Sequence, residues 1–225
     1  MALVALAIAP GLFWLWYFRR RDHLRPEPRA LVARVFFLGV AAAVVAALLE
    51  FGVFRVTGIE HERAQGWGVI SAALLIGLIE EGAKFAAVYG GIYRHHEFNE
   101  VLDGILYAVA ASLGFATIEN VAYVLQGGVA VGVLRAVLSV PGHAFFGALM
   151  GFYMGLAKFS GPREGAWLWT GFALATLAHT LFDAVLFTRT ALALIVVPLT
   201  ALLWRRAVHH TRTALALDHE RLGGG

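Results

Sequence analysis

The side chains in this sequence that could carry chemistry are carboxylates and imidazoles set inside apolar runs. Glu80 and Glu81 stand together, with Lys84 three and four positions on; Glu119 is followed by Asn120; His143 stands alone; His179 precedes Asp183 by four. Two imidazoles with several carboxylates can hold a divalent metal without thiolates, and such a metal lowers the pKa of a bound water. Alternatively Glu80 or Glu81 activates water directly, with His179 and Asn120 stabilising the oxyanion. A third chemistry needs no bond cleavage: Glu80, Glu119, His179 and Asp183 could relay protons, as in a transporter or channel.

Other templates fail on inspection. The chain has no Cys, which removes disulfides, thiolate ligands and a cysteine nucleophile. The pairs His61-Glu62, His96-Glu97 and His219-Glu220 lack the second His of H-E-x-x-H. There is no G-x-S-x-G, and neither the phosphate-cradling nor the dinucleotide glycine loop occurs.

The elements that must position these groups are membrane helices. Of 225 residues, 60% are hydrophobic and only 15% charged, with a mean hydropathy of +0.73; a soluble domain carries roughly 25% charged residues. Apolar runs predict an all-α, polytopic transmembrane helical bundle of about seven spans, near 2–18, 31–54, 67–90, 101–126, 133–158, 166–187 and 190–204. Pro141-Gly142 leaves a second option for the fifth, a late start with 129–140 as a surface segment. The first run lacks the preceding basic residues of a signal peptide, because Arg19-Arg20-Arg21 follow it, so it predicts a retained anchor. The whole of 1–225 is one integral membrane domain, with a core of about 10–205 and a cytoplasmic tail over 206–225.

Charge orients the bundle. With the N-terminus outside and the C-terminus cytoplasmic, Arg19, Arg20, Arg21, Arg25, Arg29, Arg34, Arg94, Lys158, Arg163, Arg205, Arg206, Arg212 and Arg221 face the cytoplasm, 13 of the 18 basic residues. Arg55, Arg63, Arg135 and Arg189 fall outside, and Lys84 lies within a span. The net charge of +3 is thus a membrane-flanking bias, and no nucleic-acid partner is expected; the partner surface is the lipid bilayer.

An ionisable side chain in mid-span costs roughly 2.5–3.5 kcal/mol on insertion scales, so an accumulation of them signals function. Glu80 should lie near the midplane, and Glu119 lies 18 residues, about 27 Å of rise, beyond the cytoplasmic start of its helix. His179 and Asp183 share a helix face, as do Glu80 and Lys84. Together they predict one site opening to the outer half of the membrane. Gly147, Gly151 and Gly155 form a flat stripe for close helix packing. Glu50 reads as interfacial, Asp103 as a helix N-cap, and His95-His96 and His209-His210 as solvated.

The motifs resemble a known family. Glu80-Glu81-Gly-Ala-Lys84 matches E-E-x-x-K, Phe115 to Glu119-Asn120 matches F-x-x-x-E-N, His143 with Phe146-Gly147 matches H-x-x-F-G, and His179 with Asp183 matches H-x-x-x-D. In this order, on four successive spans, they resemble the PrsW family of bacterial intramembrane proteases. The segment Trp16 to Asp22, Pro26-Glu27-Pro28 and Asp103-Gly104-Ile105 fit as well. The wider relatives are the CAAX prenyl proteases and bacteriocin-immunity proteins, whose second motif carries a His where this chain has Glu119.

The resemblance implies a peptidase of the bacterial inner (cell) membrane that cuts a single-span membrane protein, typically an anti-sigma factor, on its extracytoplasmic side. It puts catalysis on Glu80, Glu81, Glu119, His143, His179 and Asp183, supported by Lys84 and Asn120. With Glu119 standing in place of a His and His143 added, the ligand set expected for a Zn²⁺ ion is His143, His179 and Glu119.

Overall fold

The computed structural model describes residues 2–58 and 65–223, and among these it contains α-helix and short 3₁₀ turns but no strand. The helices are α1 (Ala2–Arg19), α2 (Arg29–Thr57), α3 (Trp67–Gly91), α4 (Val101–Val137), α5 (Ser139–Lys158), α6 (Glu164–Phe187) and α7 (Val196–Gly223). His61, Glu62, Arg63 and the final Gly224-Gly225 lie outside the described residues. Four stretches, Arg29–Thr57, Val101–Lys158, Gly161–Phe187 and Ala191–Gly223, are long and apolar enough to cross a membrane. α3 has the length too, but Glu80, Glu81 and Lys84 interrupt its apolar run.

α4 is the axis of the bundle. Every residue from Val101 to Thr117 is buried, surrounded by α1, α2 and α5, with α3 and α6 closing the side on which the ionisable residues gather. Small residues permit this crowding. A Cβ on Gly147 would lie 2.8 Å from the carbonyl oxygen of Ala108, while Gly151 and Gly155 press against the backbone of Gly104 and Val101. The stripe therefore seats α5 on α4, and Gly39 and Gly114 do the same between α2 and α4. This antiparallel register carries Glu119 on α4 to the level of His143 at the start of α5.

Two boundaries differ from expectation. α4 runs past 126 to Gly128, whose φ of 70° and ψ of −160° break the helix, and then continues as a short helical segment over 129–137. α5 starts at Ser139, so the late start holds and 129–137 is a separate arm; glycine alone adopts that backbone without strain. Val129, Leu134 and Val137 on this arm are exposed, while Gly132 packs under Leu6 of α1.

The second difference is at the C-terminus. Residues 206–223, expected as a tail, continue α7 as an amphipathic helix whose buried stripe runs Ala207, Thr211, Ala214 and Asp218. His210 is only half-exposed; its ring stacks on Phe152 of α5 at 4.2 Å. Asp218 reaches across to accept the N–H groups of Val101 and Leu102, at 2.7 and 3.0 Å, capping α4 from another helix. Glu100 rather than Asp103 occupies the N-cap of α4, and Asp103, three residues on, accepts the N–H of Glu100 at 2.7 Å.

Candidate active site

α3 supplies Glu80, Glu81 and Lys84, α4 supplies Glu119, α5 supplies His143, and α6 supplies His179 and Asp183. α3 and α6 approach where Gly77 lies beside Thr180, a Cβ there falling 2.9 Å from its hydroxyl. One turn along, His179 Nδ1 donates to Glu81 Oε1 at 2.9 Å. The other nitrogen, Nε2, lies 3.4 Å from Asp183 Oδ2 and 3.8 Å from Glu80 Oε2.

Lys84, fully buried, ties the centre together. Its ammonium donates to Glu81 Oε1 at 2.8 Å, to Glu80 Oε2 at 3.1 Å and to His143 Nδ1 at 2.8 Å. An ammonium can only donate, so Nδ1 of His143 is an acceptor and the ring proton resides on Nε2, 3.0 Å from Glu119 Oε2. Each imidazole thus has one nitrogen on a carboxylate, Glu81 for His179 and Glu119 for His143; the second nitrogen of His179 faces Asp183 and Glu80, and that of His143 takes the Lys84 ammonium. Aromatic rings fix their planes. Phe146 stacks on His179 with centroids 4.9 Å apart, and Phe115 lies under both His143 and the Lys84 ammonium. The phenylalanines of the two short motifs hold the imidazoles in place.

Three residues are placed differently from the sequence expectation. Arg135, expected in an outer connection, returns on the 129–137 arm; its Nη2 lies 3.0 Å from Glu119 Oε2 and its Nε donates to Asn120 Oδ1 at 3.1 Å. Asn120 is not brought to the centre, because its amide donates to the Ala7 carbonyl of α1 at 2.9 Å. Glu50, read as interfacial, has a buried Oε1 without a hydrogen-bond partner, and its electrostatic neighbours are Glu80, Glu119, His179 and Lys84.

The donor set suits a metal. One donor atom each from Glu80, His143 and His179 lies within 4.8 Å of the other two, all three residues being buried. When ionised, Glu80, Glu81, Glu119 and Asp183 carry four negative charges against the two of Lys84 and Arg135. A divalent cation would balance that excess. Carboxylates behind metal-binding imidazoles are the usual orienting partners, and Glu81 and Glu119 stand where such partners stand. Glu119, expected as a ligand, lies between His143 and Arg135.

Residues 27–204 match the family described as "PrsW family intramembrane metalloprotease". The chain is 38% identical over 188 residues to Protease PrsW of Geobacillus kaustophilus, covering 84% of this chain and 81% of that one. It is 34% identical to Protease PrsW of Bacillus subtilis over 218 residues, 96% of this chain and 97% of the relative. With Protease PrsW of Clostridioides difficile it shares 32% identity over 218 residues, 90% and 87% of the two chains. No solved structure matches it.

Proposed function

The chain belongs to the PrsW family of intramembrane metalloproteases and is a membrane peptidase, and on that premise we propose that it cuts a single-span, anti-sigma-factor-like protein on the extracytoplasmic side of the bacterial inner membrane. The proposed topology is seven spans with the N-terminus outside, supported by the bias of 13 basic residues toward one side. Family membership lends nothing to the proton-relay alternative.

The observation that carries the mechanism is the pairing of His143 with Glu119 and of His179 with Glu81, together with one donor atom each from Glu80, His143 and His179 lying within 4.8 Å of the other two. We assign Glu80, His143 and His179 as the residues that hold the metal, with Zn²⁺ the ion that fits two imidazoles and a carboxylate. When bound, it would supply Lewis acidity for an activated water and a polarised carbonyl. Glu81 and Glu119 fix the tautomers and ring directions. Asp183, with no Lys or Arg partner among the described residues, 3.4 Å from His179 Nε2 and with its side chain 15% exposed, is the carboxylate that would accept a proton from the attacking water and return it to the leaving amine. Lys84 and Arg135 are the counter-charges that lie against Glu81 and Glu119.

The test is cleavage of a single-span substrate in proteoliposomes with a protease-accessible tag on each side. Wild type should cut within the outer half and contain about one zinc per chain; Glu80→Gln and His179→Ala should do neither. Full cleavage by protein lacking stoichiometric transition metal would overturn the metal assignment. Cleavage from the cytoplasmic side would overturn the topology.

A further inference from the structure

At the other end of α4, the fold gathers a second set of carboxylates that the proteolytic reading leaves unused. Asp22 comes from the α1–α2 connection, Glu100 caps α4, and Asp103 lies in its first turn; they are 7%, 1% and 1% exposed. One oxygen from each lies within 4.8 Å of the others. Asp103 and Glu119 are sixteen residues apart on one helix, so about 24 Å of axial rise separates this cluster from the centre described above.

The hydrogen bonds show which oxygens are committed. Asp22 Oδ2 accepts the N–H of Glu27 at 2.7 Å, and Asp103 Oδ2 accepts those of Asn99 and Glu100, both at 2.7 Å. The remaining oxygens, Asp22 Oδ1, Asp103 Oδ1 and both of Glu100, are buried without a hydrogen-bond partner; the Glu100 carboxylate sits by the Asp103 N–H without a well-aligned bond. Among the described residues no Lys or Arg makes an ion pair with any of the three. Glu27, buried next to them, takes the hydroxyl of Tyr107, and Asp218 adds a further negative charge. Burial first, then the charges of Asp218 and Asp22, pushes the Glu100 carboxyl up to about 7.

Buried carboxylate oxygens without hydrogen-bond partners, on three residues that each bring an oxygen within 4.8 Å of the others, need a cation or shared protons. Oxygen donors alone select hard ions, whose bonds of about 2.0–2.6 Å allow donor separations of the size seen here. We propose that Asp22, Glu100 and Asp103 form a second metal site, one that takes a hard divalent cation of the Mg²⁺ or Ca²⁺ type and fastens the α1–α2 connection to the start of α4. Asp218 of α7 already holds the next two N–H groups of the same helix end, so the ion would add the α1–α2 connection to that junction of α4 and α7.

This inference is independent of the assignment of the first centre, and its test has no enzymatic readout. The full chain, purified in detergent and stripped with chelator, is titrated with Mn²⁺ followed by electron paramagnetic resonance, with Mg²⁺ and Ca²⁺ as separate competitors. Wild type should show a class of Mn²⁺ that one or both displace and that persists in His143→Ala/His179→Ala. Glu100→Gln, which breaks no well-aligned hydrogen bond, should weaken that class by about tenfold or more, and Asp22→Asn/Glu100→Gln should abolish it. The competing cation should also raise the melting temperature of wild type and leave the double variant unmoved, with helicity by circular dichroism confirming that it folds. Loss of the whole class in His143→Ala/His179→Ala, unchanged binding by Glu100→Gln, or no binding by wild type at millimolar Mn²⁺ would each overturn the proposal, the last meaning that the carboxyls share protons.

Discussion

Arg135 Nη2 lies 3.0 Å from Glu119 Oε2, although the two residues stand on opposite sides of the break at Gly128. The break is what makes the contact possible, because an unbroken α4 would carry Arg135 about 24 Å beyond Glu119. Gly128 occupies a backbone region that a side chain makes costly, so Gly128→Val should destabilise the chain by about 1–3 kcal/mol. It should also mimic Arg135→Ala by releasing Glu119, and both variants should cleave a single-span substrate at least about tenfold more slowly than wild type in proteoliposomes. A Gly128→Val protein with wild-type rates would mean that the arm plays no part in orienting Glu119.

The α4–α5 seam predicts a stability effect without any chemistry. Gly151 faces the carbonyl of Gly104 and the Cβ of Ala108, and nothing there can yield as a flexible side chain would. Gly151→Leu should therefore force the helices apart, costing about 1–3 kcal/mol or more, whereas Gly165→Ala, which meets open space, should be close to neutral. Melting temperatures of the two variants in one detergent would check the contrast.

The helical class and most of the buried carboxylate and imidazole cluster were legible because a charge inside an apolar run is conspicuous. Glu80, Glu81, Lys84, Glu119, His143, His179 and Asp183 announced themselves by cost alone. Asp22, Glu27, Glu100 and Asp103 did not, since carboxylates in polar connections are cheap and their convergence depends on tertiary packing. Arg135 was hidden for a related reason: a lone arginine near a presumed membrane surface satisfies the orientation rule without further meaning. The Gly127-Gly128 pair was the available signal for a break. The extension of α7 was masked by Arg205, Arg206, His209 and His210, which end the apolar run but leave Ala207, Thr211 and Ala214 at helical spacing on the other face.

Lys84 and a metal ion would compete for the Glu80 carboxylate and the His143 ring, because the ammonium now sits on both. Removing the cation while keeping the bulk, as in Lys84→Met, should tighten Zn²⁺ binding by about tenfold or more, since a like charge a few ångströms away opposes the ion. Competition against a chromogenic chelator measures this directly. Weaker binding in Lys84→Met would instead make the lysine an organiser of the ligands.

Glu27 gives the stripped chain a pH dependence with a definite sign. Burial, followed by the charge of Asp22, pushes its carboxyl from an ordinary 4.5 up to about 7, while the Tyr107 hydroxyl works the other way. Between those values the folded chain holds a proton that the unfolded chain has released, so stability is full below about pH 4.5 and declines as pH rises through 7. Glu27→Gln should remove that part of the slope. Melting curves of both chelator-treated proteins from pH 4.5 to 8 should therefore diverge, with wild type falling more steeply, and parallel curves would rule the effect out.

The sharpest test of the catalytic centre separates the residues that would touch the metal from those that would aim the ligands. If Glu80 binds the ion, Glu80→Gln should lose it outright and excess zinc should not restore cleavage. Glu81→Gln and Glu119→Gln remove only the partners of His179 Nδ1 and His143 Nε2. Loss of such a partner typically weakens metal binding by about 10–100-fold, a deficit that added zinc can overcome. Zinc content and cleavage rate, each measured across a zinc titration, should therefore divide the three variants into one that cannot be rescued and two that can. If Glu119→Gln proved as irreparable as Glu80→Gln, Glu119 would return to the ligand set that the sequence alone had given it, and Arg135 would have to be explained as the counter-charge of a ligand.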